Sequence, residues 1–111
     1  MIAARISIGA VDVMVTFLTD GLRADALKLA GELRVEKLRV DVYPEAAPKL
    51  EKPLKYASIR NVPVLAILGE DERARDEVAV RDLQTRQQTS LPRATAAGAI
   101  ARTIRLSEPG T

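Results

Sequence analysis

Between Asn61 and Gly69 the chain reads Val62–Pro63–Val64–Leu65–Ala66–Ile67–Leu68, without one polar side chain. A short apolar run bounded by turn-forming residues is the pattern of a strand covered on both faces, since neither face then tolerates a polar group. Such a strand sits inside a sheet, with other elements packed above and below it. The rest of the chain has to supply that cover.

It contains the pieces to do so. Val11–Phe17 is β-branched, lies between Gly9 and Thr19–Asp20–Gly21, and reads as the first strand. Thr19 or Asp20 is placed to cap the helix that follows. In that helix Leu22, Ala26, Leu29, Ala30 and Leu33 form one apolar stripe, with Arg23, Asp25, Lys28 and Glu32 outside it. Leu38–Tyr43 sets Leu38, Val40 and Val42 against Arg39, Asp41 and Tyr43, the alternation of a half-buried strand near a sheet edge.

A second helix is expected from about Leu50 to Arg60, which places Pro53 in the first turn, where its missing N–H has no partner to lose. Leu50, Leu54 and Ala57 face inward, Asn61 offers a left-handed exit, and Pro63 prevents continuation. Gly69–Glu77 reads as a charged turn. Glu77–Leu83 and Gln87–Leu91 form a hairpin around Gln84–Thr85–Arg86, and Ala94–Ile104 is an alanine-rich last helix. Right-handed crossovers make the first three strands parallel, and the hairpin completes a mixed five-stranded α/β sheet. Residues 1–10 read as a linker or N-terminal extension, 11–105 as the domain, and 106–111 as a flexible tail.

Composition removes several chemistries. The 111 residues contain no cysteine and no histidine, so disulfides, thiol catalysis, histidine triads and Cys/His zinc sites are excluded. No apolar run has the length of a membrane span, and Met1–Ala10 lacks the core of a signal peptide, so a soluble chain with no membrane partner is expected, and its lack of cysteine is compatible with a cytoplasmic location. Net charge is only +2, so any attraction for nucleic acid has to come from a local basic face.

Two places could carry chemistry. Glu70, Asp71 and Glu72 follow the apolar strand, where open α/β sheets tend to hold ligands. They could bind Mg²⁺ or share acid–base work, or simply form a solvated turn. No glycine-rich phosphate loop accompanies them. On the second helix Lys49, Lys52 and Tyr56 lie within about 60° of one another, with Lys55 nearby. Ammonium groups beside an aromatic ring suit single-stranded RNA, where lysine neutralises phosphate and a ring stacks on a base. The plainer alternative is a solvated lysine face with Tyr56 packed sideways on the sheet. Arg81 and Arg86 add charge on the hairpin, Arg81 pointing with Ala79.

From about Ala10 to Ile104 these segments resemble the C-terminal anticodon-binding domain of histidyl-tRNA synthetases, class II aminoacyl-tRNA synthetases. The resemblance rests on Val11–Val15, Leu33–Arg34, Leu38–Tyr43, Lys55–Tyr56–Ala57, Val62–Pro63, Ile67–Glu72 and Val78–Leu83 with Thr85. It implies a three-layer α/β/α domain that holds the anticodon stem-loop of tRNA while a separate catalytic domain, in the same or another chain, charges the 3′ end. By position, Lys52, Lys55 and Tyr56 would line the RNA side, Glu70 and Glu72 would accept base-edge donors, and Arg81 would contact phosphate or base. The chain departs from the family pattern at Lys37, where a helix-ending glycine is usual, at Ser58, where aspartate is usual, and in Arg73–Glu77, which lacks a turning glycine. It carries no class II catalytic motif. ATP and Mg²⁺ would therefore belong to the catalytic domain, and this chain would need no cofactor and catalyse nothing alone. A protein-interaction or regulatory module of the same fold, including a homodimer, is the alternative reading; a small Mg²⁺-dependent enzyme using Glu70–Glu72 is the third.

Overall fold

The computed structural model describes residues 11–107. The segment expected as an N-terminal extension, residues 1–10, and the last part of the expected tail, residues 108–111, lie outside the described residues. Five strands, β1 (Val13–Phe17), β2 (Val40–Val42), β3 (Val64–Leu68), β4 (Glu77–Asp82) and β5 (Gln88–Pro92), alternate with four helices. The helices are α1 (Arg23–Val35), α2 (Glu51–Ile59), α3 (Glu70–Ala74) and α4 (Ala96–Ser107).

The strands form one sheet in the order β2-β1-β3-β4-β5. β1 pairs in parallel with both β2 and β3, Val13 lying opposite Val40 on one side and Val64 on the other. β4 runs antiparallel to β3 and β5 antiparallel to β4, giving the mixed sheet expected. Every residue of β3 is buried, as its composition demanded.

Alternation along the strands divides the interior in two. Val13, Val15, Phe17, Val64, Ala66 and Leu68 point to one side, where Leu22, Leu29 and Leu33 of the first helical segment meet Ile100 and Ile104 of α4. Met14, Leu65, Ile67 and Ala79 point to the other, beneath Ala57 with Leu50 and Leu54 at its margin. The result is a three-layer α/β/α arrangement with α1 and α4 on one face and α2 on the other.

The helix ends show how the chain turns back into the sheet. After α1, Lys37 N–H donates to Arg34 O (2.9 Å) and Leu38 N–H to Leu33 O (3.3 Å), a Schellman closure with Lys37 at φ 68°. α2 closes the same way, Asn61 N–H on Ser58 O and Val62 N–H on Ala57 O, with Asn61 at φ 57°. In both, the next apolar residue, Leu38 or Val62, drops into the core. Asp76 at φ 60° turns the chain between α3 and β4, a left-handed turn made without glycine.

Three expectations are adjusted. The charged turn after β3 is the short helix α3, because Glu70, Asp71 and Glu72 fill its first turn, where acidic groups complement the amide dipoles. α1 is entered through a 3₁₀ turn, Asp20–Leu22, without a side-chain cap from Thr19. The last helix continues through Ser107, so the first two residues of the expected tail are helical.

Lysine in the left-handed region carries a conformational cost that glycine does not. Replacing Lys37 by glycine should therefore raise unfolding free energy by about 0.5–1 kcal/mol in urea denaturation, with an unchanged m value. A loss of stability would show that the lysine side chain makes compensating contacts.

Candidate nucleic-acid interface

α2 links the end of β2 to the start of β3, so it crosses the sheet from the carboxyl ends of the parallel strands to their amino ends. Its first N–H donor is Leu54, bonded to Leu50 O at 2.9 Å, so Pro53 sits where no donor is needed. Pro53 and Ala57 face the sheet and are buried. Lys52 and Lys55 stand exposed on the outer crest. The two flanks differ: Leu54 and Ser58 lean toward the β4–β5 hairpin, Tyr56 and Arg60 toward β2.

Tyr56 follows the plainer of the two sequence readings, a ring packed sideways rather than an open one. It is half-buried, edge-on to Tyr43 with centroids 5.7 Å apart and planes at 83°. The Arg60 guanidinium lies over the ring, 4.5 Å from its centroid, and reaches Asp41 of β2 at 3.9 Å. Cation–π contact and aromatic packing each contribute about 0.5–1.5 kcal/mol, so this cluster anchors α2 to the sheet edge. The sequence reading missed Arg60, although its i, i+4 spacing from Tyr56 was available as a signal.

Glu70 and Glu72 lie at the opposite end of β3 from Arg81. Arg81 is in register with Leu65, and from there to Glu70 is roughly 15 Å along an extended strand. Glu70 Oε2 accepts from the Thr19 hydroxyl at 3.0 Å. Glu72 folds back over Gly69, where an added Cβ would collide with its carboxylate, and it pairs with Arg75 at 3.6 Å. Both carboxylates thus have partners within the chain. Among the described residues no three acidic groups converge as a metal ion would require.

Arg81 is half-buried on β4 and opens into a shallow cleft shared with Leu54, Ser58, Leu83 and Arg86. The site residues expected from sequence therefore divide by position. Lys52 and Lys55 share the crest of α2, Tyr56 supports one flank, Arg81 flanks the other, and Glu70 and Glu72 stand apart. Among the described residues Lys52, Lys55, Arg81 and Arg86 take part in no ion pair.

The other sheet face treats its charges differently. Arg93 grips Glu32 of α1 with two bonds, 2.8 and 3.1 Å, and Arg73 of α3 reaches Asp25 at 3.4 Å. The hydrogen bonds from Arg93 hold the Glu32 carboxyl below its ordinary value of 4.5, against the opposing effect of burial. These pairs tie α1 to α3 and to the turn before α4.

The family described as the anticodon binding domain matches residues 12–103. The chain belongs to that family. It is 40% identical over 83 residues to the histidine–tRNA ligase of Xylella fastidiosa strain M23, which is 75% of this chain and 18% of that protein. The histidine–tRNA ligase of Porphyromonas gingivalis is 41% identical over 66 residues, 60% of this chain and 14% of that protein. Among solved structures, the crystal structure of histidyl-tRNA synthetase from Nostoc sp. PCC 7120 superposes with a TM-score of 0.78 at 29% identity. That overlap covers 85% of this chain and 21% of the Nostoc chain. The chain thus matches between about a seventh and a fifth of the length of these relatives, and what it shares with them is the anticodon-binding domain with its five-stranded α/β sheet.

Tyr56 and Lys55 are neighbours with separable roles. Tyr56→Ala should cost about 1–3 kcal/mol in thermal denaturation, because it removes the ring between Tyr43 and Arg60. Lys55→Ala should stay within about 0.5 kcal/mol of the parent. Equal effects from the two substitutions would contradict this division.

Proposed function

We propose that this chain is the anticodon-binding domain of a histidyl-tRNA synthetase or a synthetase-like protein. In this reading it holds the anticodon stem-loop of tRNA-His while a class II catalytic domain, in the same or another chain, performs the charging. The observation that carries it is the crest of α2, where Lys52 and Lys55 stand exposed and without ion pairs among the described residues. Arg81 lies on the flank of the same sheet face. With a net charge of +2, an anion is attracted to such a local group of cations more than to the molecule as a whole.

The division of labour follows from the chemistry. Lys52 and Lys55 neutralise phosphates, and Arg81 contacts phosphate or a base edge. Tyr56 fixes the helix that presents the lysines, with its exposed edge at the RNA boundary. Glu70 and Glu72, each already engaged, would meet RNA only by exchanging those partners for base donors. ATP and Mg²⁺ belong to the catalytic domain, and the chain is non-catalytic by itself. Translation places such a protein in the cytoplasm, and homodimerisation would come with the parent enzyme. No helix among the described residues is long and apolar enough to cross a membrane.

Electrophoretic shift of tRNA-His across a salt series tests this proposal. Binding should weaken as salt rises, and Lys52→Glu with Lys55→Glu should lower affinity at least tenfold. The slope of log K against log salt should fall by about 1.4, since each single-strand phosphate contact contributes about 0.7. Unchanged affinity and slope in the double variant would overturn the assignment of this face.

A further inference from the structure

The two margins of the sheet are finished differently. β2 is three residues long, carries Asp41 at its centre, and its Val40 O accepts from the Arg34 guanidinium at 3.0 Å. Short length, charge and occupied carbonyls keep other strands away from such an edge. β5 runs for five residues, Gln88–Thr89–Ser90–Leu91–Pro92, with no charged side chain and only Leu91 less than fully exposed. On its α4 side it borders a cleft of about 430 Å³ whose apolar lining is Val64, Val80, Leu91 and Ile100. We infer that β5 pairs with β5 of a second copy of this chain, antiparallel, about a two-fold axis through Ser90. The contact belongs to this domain itself and is independent both of the RNA-binding reading and of a dimer made by a catalytic domain.

Backbone chemistry places the axis. At the turn end of the hairpin, Asp82 N–H donates to Gln87 O at 2.8 Å. Bonded and non-bonded pairs alternate along an antiparallel ladder, so Thr89 opposite Val80 and Leu91 opposite Val78 turn their backbone groups inward to β4. Gln88, Ser90 and Pro92 turn theirs outward, and Pro92 has a carbonyl but no N–H. With the axis at Ser90, each Ser90 N–H meets the Ser90 carbonyl of the other copy. Each Gln88 N–H likewise meets the other Pro92 carbonyl. Both outward donors of β5 are then used, and the position without a donor falls at the end of the ladder.

The side chains fit the same axis. Arg93, the first cation past the strand, is already held by Glu32 and comes to lie opposite Gln87, so no like charges meet. An unrelated strand finds no charge on β5 to select it. A two-fold normal to the sheet keeps each face on its own side, which sets the two α4-side clefts next to one another. Each Leu91 then stands beside the other copy's Thr89 at the cleft margin, where directly opposed side chains pack. The patch is thus complementary to itself, as a two-fold contact requires. The two five-stranded sheets become one continuous sheet, with both α2 crests on the same side.

Sedimentation equilibrium of the 111-residue chain tests this pairing. Monomer and dimer should exchange with a Kd of about 10–100 μM, as suits a small contact. Ser90→Lys and Ser90→Glu each set like charges against one another across the axis. Each alone should weaken the dimer by about tenfold or more while keeping the parent's circular dichroism. Mixed in equal amounts, the two variants should associate again, because a lysine then faces a glutamate. Val35→Asp, on the exposed end of α1, should leave the dimer as it was. A chain that stays monomeric up to about 1 mM would overturn the inference. So would a dimer indifferent to both Ser90 substitutions, a mixture that fails to recover, or a dimer lost in Val35→Asp.

Discussion

The structure depends on one buried strand. β3 lies between a parallel neighbour and an antiparallel one, and all five of its side chains are out of solvent. Burying a large aliphatic side chain contributes about 1.5–3 kcal/mol, against a typical net stability of about 5–15 kcal/mol for a domain. A strand of this kind cannot be left half covered. α1 and α4 close one face of the sheet, and among the described residues α2 closes the other over Met14, Leu65, Ile67 and Ala79. The side of α2 that does not face the sheet is therefore fixed as outer surface, and whatever stands there is presented rigidly.

That geometry separates structural charge from available charge. On the α1–α4 side Arg93 with Glu32, Arg73 with Asp25 and Arg105 with Glu36 join elements to one another. Around α2, Arg60 has a similar role toward Asp41 and the Tyr56 ring, and its neighbours Lys52 and Lys55 are left facing solvent. Exposed ion pairs contribute little to stability, so the uncompensated lysines are inexpensive to keep and easy to use. A modest net charge is then no obstacle to binding an anion at one face.

Much of this was legible in the sequence because it follows from periodicity. The stripe Leu22–Leu33, the alternation Leu38–Val42 and the apolar run into Leu68 each have one reasonable burial, and the sheet that satisfies all three is the one observed. Pro53 and Asn61 fixed the ends of α2 through backbone chemistry alone. The site was less legible because it depends on which flank of α2 each residue occupies. One-dimensional spacing placed Tyr56 beside the lysines, but only the packing shows Tyr43 and Arg60 covering its ring. Glu70 and Glu72 looked available because a run of acids does not reveal that Thr19 and Arg75 engage them. Lys37 and Arg86 occupy left-handed positions that sequence rules assign to glycine; Schellman closure in one case and Asp82 in the other hold the backbone there.

The central claim is that the α2 side of the sheet is the face that meets the anticodon stem-loop. Amide chemical shifts of the labelled chain, followed during titration with the tRNA-His anticodon stem-loop, test it most directly. The account predicts that the largest changes fall on Lys52–Ser58 of α2 and on the loop around Arg86, with α1 and α4 nearly unaffected. Changes concentrated on α1 and α4, with α2 silent, would contradict it.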